Sequence, residues 1–116
     1  MNAISLTILV EDKVLPGLPV ALAPEHGLSI LVEADGRRGL LDCGKSDAAM
    51  RNAEAMAKSV RELDWIVLSH GHYDHTRGLT HVLEQAKAKR LVAHPHAFED
   101  KWIRDSILPL RNAGIE

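Results

Sequence analysis

Within six residues, His70-Gly71-His72-Tyr73-Asp74-His75, the chain places three imidazoles and a carboxylate. Neutral imidazole nitrogen and carboxylate oxygen are donors that zinc takes at about 2.0 to 2.2 Å, and the same set accepts iron or manganese. The expected cofactor is therefore one or two zinc ions, with iron or manganese as substitutes. In extended chain His70, His72 and Asp74 point to one side and His75 to the other, so all four converge only where the backbone turns. Gly71 is the residue expected to permit that turn. The bland alternatives are an exposed polar loop without metal, and a loop that captures metal without turnover.

The elements that must hold this cluster follow from the patterning on either side. Leu63-Asp64-Trp65-Ile66-Val67-Leu68-Ser69 is a short apolar run rich in aromatic and branched residues and reads as a strand, after which Thr76-Arg77-Gly78 opens a helical pattern through Leu79, Val82, Leu83 and Ala86, with Thr76 as its expected cap. The cluster thus sits on a loop between a buried strand and a helix, where a rigid scaffold presents side chains at a sheet edge. Upstream, Ile4 to Val10 alternates as a half-buried strand, and Glu11 to Gly27 is punctuated by Pro16, Gly17, Pro19 and Pro24. Leu28 to Glu33 and Arg38 to Leu41 flank Ala34-Asp35-Gly36-Arg37, an Asp-Gly hairpin turn. Ser46 is expected to cap a helix running to about Lys58, carried by Ala49, Met50, Ala53, Met56 and Val60. A short strand from Arg90 to Ala93 and an irregular tail complete the order β-β-β-α-β-α-β. This is an α/β fold, a mixed sheet with helices on one face, read as a single domain over residues 1–116.

Composition bounds the rest. With 46% hydrophobic residues in 116, a core is affordable, but aromatics make up 3%, so it must be built from Leu, Ile, Val and Ala. A formal charge of -2 without a basic patch gives no electrostatic case for nucleic acid. No apolar run approaches the length of a membrane span. Met1-Asn2-Ala3 does not open a basic and then apolar leader, and Cys43 stands alone, so a reducing cytoplasm is the expected location.

The run Ser69 to Leu79, SHGHYDHTRGL, resembles the HxHxDH loop of the metallo-beta-lactamase superfamily, and Leu41-Asp42-Cys43-Gly44 resembles that family's first Asp-Thr-Gly-like motif. Glu25-His26-Gly27-Leu28-Ser29 and Ala93-His94-Pro95-His96-Ala97-Phe98 are similar to the branch named for 7,8-dihydropterin-6-methyl-4-(beta-D-ribofuranosyl)aminobenzene-5'-phosphate synthase. The resemblance implies half of an αββα sandwich. It implies that His70 and His72 bind a first metal, that Asp74 and His75 bind a second, and that Asp42 lies beneath the loop and orients the ligands. Asp74 would also hold the attacking water. Cys43 in place of Thr and Arg77 in place of a second Gly depart from the family pattern.

The activity so implied is metal-dependent hydrolysis, a metal-bound hydroxide attacking an ester, lactam or phosphodiester-type small molecule. Family domains continue beyond the length seen here and carry further ligands. The chain is therefore expected to be the amino-terminal part of a larger domain, or to take the missing ligands from another chain. The alternative function is a non-catalytic metal-binding fragment or interaction module. Because the strand at Trp65 to Leu68 is apolar on both sides while two helices shield one face, a homodimer or a partner chain is expected to complete the sandwich. His26, His94 and His96 are candidate pocket residues, each with a solvated loop as its plain alternative. Asp42 has the alternative of an ordinary turn residue, and Cys43 reads as a small buried side chain.

Overall fold

Five strands form one mixed sheet in the order β1-β2-β3-β5-β7: β1 (Ile4–Val10), β2 (Ser29–Ala34) and β3 (Arg37–Leu41) are antiparallel neighbours, and β5 (Trp65–Val67) and β7 (Leu91–Val92) continue it in parallel. The structure, a computed structural model, describes residues 3–13, 16–17, 22–99, 102–104 and 110–112, the last two ranges by backbone alone. Pro19, in the punctuated loop, and Glu116 lie outside the described residues.

The β2/β3 hairpin closes as its Asp-Gly pair dictates, with Ala34 opposite Arg37 and positive φ at both Asp35 (52°) and Gly36 (74°), the geometry of a type I′ turn. Register then sorts the sheet by side. Leu31, Leu40 and Ile66 lie side by side across β2, β3 and β5, all three fully buried. They pack with Leu9, Val10 and Leu68 under α1 (Ala48–Ala55) and Val82 of α3 (Leu79–Gln85). A bulge between Ile8 and Val10 lets Leu9 and Val10 both turn inward. The adjacent rows, Leu6-Val32-Gly39-Trp65 and Ile8-Ile30-Leu41-Val67-Val92, face the other way. Trp65 lies across Gly39, where a Cβ would overlap its ring. Helices on one face of a mixed sheet are thus observed, and the opposite face is left apolar.

Several local expectations need correction. The run from Leu63 to Ser69 is not one strand: β4 (Glu62–Leu63) pairs with β6 (Lys87–Ala88) in a separate parallel ladder. Asp64 makes the break, its N–H donating to the Arg38 carbonyl at 2.7 Å while its carboxylate accepts from Arg38 N at 2.8 Å and Lys89 Nζ at 3.2 Å. These bonds hold its carboxyl below the ordinary aspartate range, the Arg38 N–H contributing most. The first helix stops at Ala55 instead of near Lys58. Ala57 takes the left-handed conformation at φ 56°, Lys58 N donates to the Ala53 carbonyl and Ala57 N to that of Glu54, which is a Schellman closure built on alanine. Thr76 does not cap α3: it ends a separate turn, α2 (Tyr73–Thr76), and its hydroxyl donates back to the His72 carbonyl at 2.9 Å. The tail is not wholly irregular, since β8 (Trp102–Arg104) and β9 (Leu110–Asn112) pair antiparallel.

Candidate metal centre

β3 and β5 run parallel, and their carboxyl ends release two loops side by side, the crevice position where open α/β sheets present ligand sites. Asp42 follows β3 directly, with φ at 58°, a left-handed conformation that Asp tolerates better than most residues. Its N–H donates to the Val67 carbonyl at 2.8 Å, and the next, Cys43 N, donates to the His75 carbonyl at 2.8 Å. Two backbone bonds therefore lock the Asp42-Cys43 corner to both ends of the histidine loop.

The Asp42 side chain is fully buried and accepts three hydrogen bonds: Oδ1 from Ser69 N at 2.7 Å, and Oδ2 from Ser69 Oγ at 2.6 Å and from His75 Nδ1 at 2.7 Å. A carboxylate only accepts, so in the neutral ring the proton of His75 sits on Nδ1 and Nε2 keeps its lone pair. Ser69 spends its single proton on Asp42, so its contact with His70 Nδ1 at 2.8 Å is one in which the ring donates, and His70 Nε2 is likewise left as an acceptor. One buried carboxylate thus sets the tautomer of two histidines whose ring centroids are 4.2 Å apart. Burial, and then the proximity of His75 and His72, lowers the pKa of His70, which favours the neutral imidazole that a metal requires.

Asp42, His70 and His75 bring donor atoms within 4.8 Å of one another, a grouping among the described residues that could hold a metal ion. His72 is not in that set. It is exposed, stands at the start of α2, and its ring lies 4.8 Å edge-on from that of His70. Asp74 faces His75 with Oδ2 3.7 Å from Nε2. His26 contacts Asp74 from the far side at 3.1 Å. His94 and His96 lie exposed at the turn Pro95–Phe98, their rings 4.6 Å apart, and outside the convergent set.

The backbone turn that lets His75 join His70 is α2 itself, with His72 extended (φ −68°, ψ 144°) and the helical turn beginning at Tyr73. Gly71, expected to make that turn, has another use. It is buried against the Pro95–Phe98 turn, where a Cβ would collide with the carbonyl of Ala97. Cys43 is fully buried with its thiol pushed up to about 12, by desolvation first and then by the charge of Asp42, so it is an inert packing residue. Sequence reasoning passed over Ser69, the relay between Asp42 and His70, because it reads as the polar end of a strand. It also passed over the role of Glu25, which accepts from Lys45 N at 2.7 Å, from Ser46 N at 3.2 Å and from Ser46 Oγ, and so ties the preceding loop to the Asp42 corner.

A family model described as the metallo-beta-lactamase superfamily matches residues 22–112. An uncharacterised protein of Methanocaldococcus jannaschii is 39% identical over 79 residues, covering 67% of this chain and 31% of its own length. The 7,8-dihydropterin-6-methyl-4-(beta-D-ribofuranosyl)-aminobenzene-5'-phosphate synthase of the same organism is 32% identical over 81 residues, covering 65% and 28% respectively. Among solved structures, a metal-dependent hydrolase of the beta-lactamase superfamily aligns with a TM-score of 0.68 at 30% identity, over 94% of this chain and 35% of that one. The chain therefore spans about a third of the length of these relatives. Among the described residues no helix is long and apolar enough to cross a membrane.

Proposed function

The chain belongs to the metallo-beta-lactamase superfamily, and from that premise we propose that it supplies the metal-gripping half of a divalent-cation-dependent hydrolase acting on ester, lactam or phosphodiester-type small molecules. The observation that carries the reading is the Asp42-Ser69 relay, which leaves the Nε2 atoms of His70 and His75 unprotonated on neighbouring rings. That donor set fits a borderline cation: neutral nitrogen from His70, His72 and His75 and oxygen from Asp74, with zinc the first choice and iron or manganese able to take the same donors. When bound, such a cation would supply Lewis acidity and make a coordinated water acidic enough to ionise near neutral pH.

The chain's own residues do the rest. Asp42 and Ser69 hold the rings in ligating orientation. Asp74, beside His75 and only 14% exposed, presents a carboxylate that can accept a hydrogen bond from a water O–H and orient that water for attack. His26 contacts Asp74, and His94 and His96, on the turn that Gly71 packs against, are in this reading further pocket residues. The remaining ligands, and cover for the apolar face of the sheet, come in this reading from the carboxy-terminal half of a larger domain, from a second copy or from a partner chain. Cytoplasmic residence goes with it, supported by a sequence whose one cysteine has no possible partner in the chain.

A second reading, metal binding without turnover, draws on the length comparison, since the matched region is about a third of these relatives and much of their structure lies outside it. Metal analysis after loading with zinc or manganese, paired with assays on a generic phosphodiester and ester, decides between them. Stoichiometric metal with turnover that disappears in His70→Ala establishes the hydrolase. Metal lost in His70→Ala but no turnover, even with the segment or chain that completes the site supplied, establishes the binding module. Absence of metal in a folded wild-type sample would falsify both.

A further inference from the structure

Asp74 is gripped from two directions by the segment before β2. On the main chain, Leu28 N donates to the Asp74 carbonyl at 3.3 Å, and Gly27, at φ 141°, approaches that carbonyl so closely that a Cβ would overlap it. On the side chain, His26 Nε2 stands 3.1 Å from Asp74 Oδ2, the same oxygen that faces His75 Nε2 at 3.7 Å. The opposite ring nitrogen, His26 Nδ1, stands 3.1 Å from Asp12 Oδ1, just beyond β1. One imidazole is thus strung between two carboxylates, the outer 62% exposed and the inner 14%. The segment is itself anchored, through Glu25 to Lys45 and Ser46 and through Gly44 N, which donates to the Leu28 carbonyl at 2.9 Å.

Resting on the reading of this loop as a metal site, we propose that His26 is a positioning residue for Asp74, with Asp12 steadying the plane of the His26 ring. The terminal torsion of an aspartate is broad and close to twofold, so an unpartnered Asp74 would sample orientations in which its oxygens swing away from His75. His26 limits that freedom by setting its Nε2 against Oδ2 on the side away from His75. A purely structural ion pair is the competing explanation. The His26 side chain is 61% exposed, and exposed pairs contribute little to folding, so the two explanations separate cleanly.

Cobalt(II), which reports its ligand field in the visible spectrum, is the probe, titrated into the full chain and into His26→Ala, His26→Gln and His70→Ala. The expected result is that His26→Ala weakens cobalt binding about 10- to 100-fold, as loss of a ligand-orienting partner does. Its visible bands shift, its metal-free thermal melt stays at the wild-type value, and His26→Gln, whose amide can reach the same oxygen, recovers most of the affinity. Wild-type affinity and bands in His26→Ala would overturn the proposal and leave the metal site standing. A melt lowered in step with affinity, or no recovery in His26→Gln, would overturn it in favour of a structural role. Failure of the wild-type chain to bind cobalt, or indifference of binding to His70→Ala, would remove the metal site and this inference with it.

Discussion

Asp42 combines two costs that a residue without a purpose seldom carries, a left-handed backbone and a buried charge. Both are answered by its neighbours: the carboxylate accepts from Ser69 N, Ser69 Oγ and His75 Nδ1, and the Ser29 hydroxyl donates to its carbonyl at 2.8 Å. Removing the side chain strands three donors, on Ser69 and His75, that keep only partial access to water. Asp42→Ala is expected to cost about 3 kcal/mol or more, the range for breaking a buried, hydrogen-bonded charge. It should also release the tautomers of His70 and His75, so that metal affinity falls together with stability. Urea unfolding and a zinc titration check this. A loss under about 1 kcal/mol would mean that the network is incidental.

At the scale of elements, the site depends on how closely two turns approach. Gly71 presses the histidine loop against the Pro95–Phe98 turn, and the atoms a Cβ would strike belong to the Ala97 backbone, which cannot rotate away as a side chain could. Gly71→Ala should therefore push the loop outward and lower zinc affinity at least tenfold. The equivalent change at Gly36, which meets nothing within reach of a Cβ, should cost only its backbone strain and leave zinc binding intact. Isothermal titration of both variants tests the contrast, and equal affinities would refute it. This approach was not legible in the sequence, because glycine signals a turn and a close contact alike, and the partner lies some 25 residues away. Alternation and turn chemistry did reveal β1, the β2/β3 hairpin and the strand leading into the loop, since each rests on neighbours in the chain. What escaped were features made by distant partners or by unusual residues. Alanine at the left-handed end of α1 carries no glycine signal, and Asp64, inside an apolar run, becomes a strand break only through Arg38 and Lys89. In the site, the residue types were visible in the spacing, but the Ser69 relay needed β3 and β5 laid side by side.

For the whole molecule, the decisive feature is the sheet face opposite the helices. Ile4, Leu6 and Ile8 on β1 are 72%, 65% and 52% exposed, and Val92 on β7 at the far edge is 51% exposed. Burying the remaining surface of each such side chain is worth about 1 kcal/mol or a little more, so the β1 stripe alone recovers some 3 to 4 kcal/mol. Association costs an estimated 4 to 15 kcal/mol in lost freedom. The stripe by itself therefore cannot hold a partner, and a stable covering layer must reach from β1 across Val32, Trp65 and Val67 to β7. The prediction is that a second copy of the chain covers this face, and that a charge at either edge dissolves the pair. In sedimentation velocity at micromolar concentration, the wild type should run as a dimer, and Leu6→Glu or Val92→Glu, each alone, should run as a folded monomer. A well-folded wild-type monomer would show that the covering layer is not another copy. Dissociation by Leu6→Glu but not by Val92→Glu would place the contact at the β1 edge, against the requirement that it span the sheet.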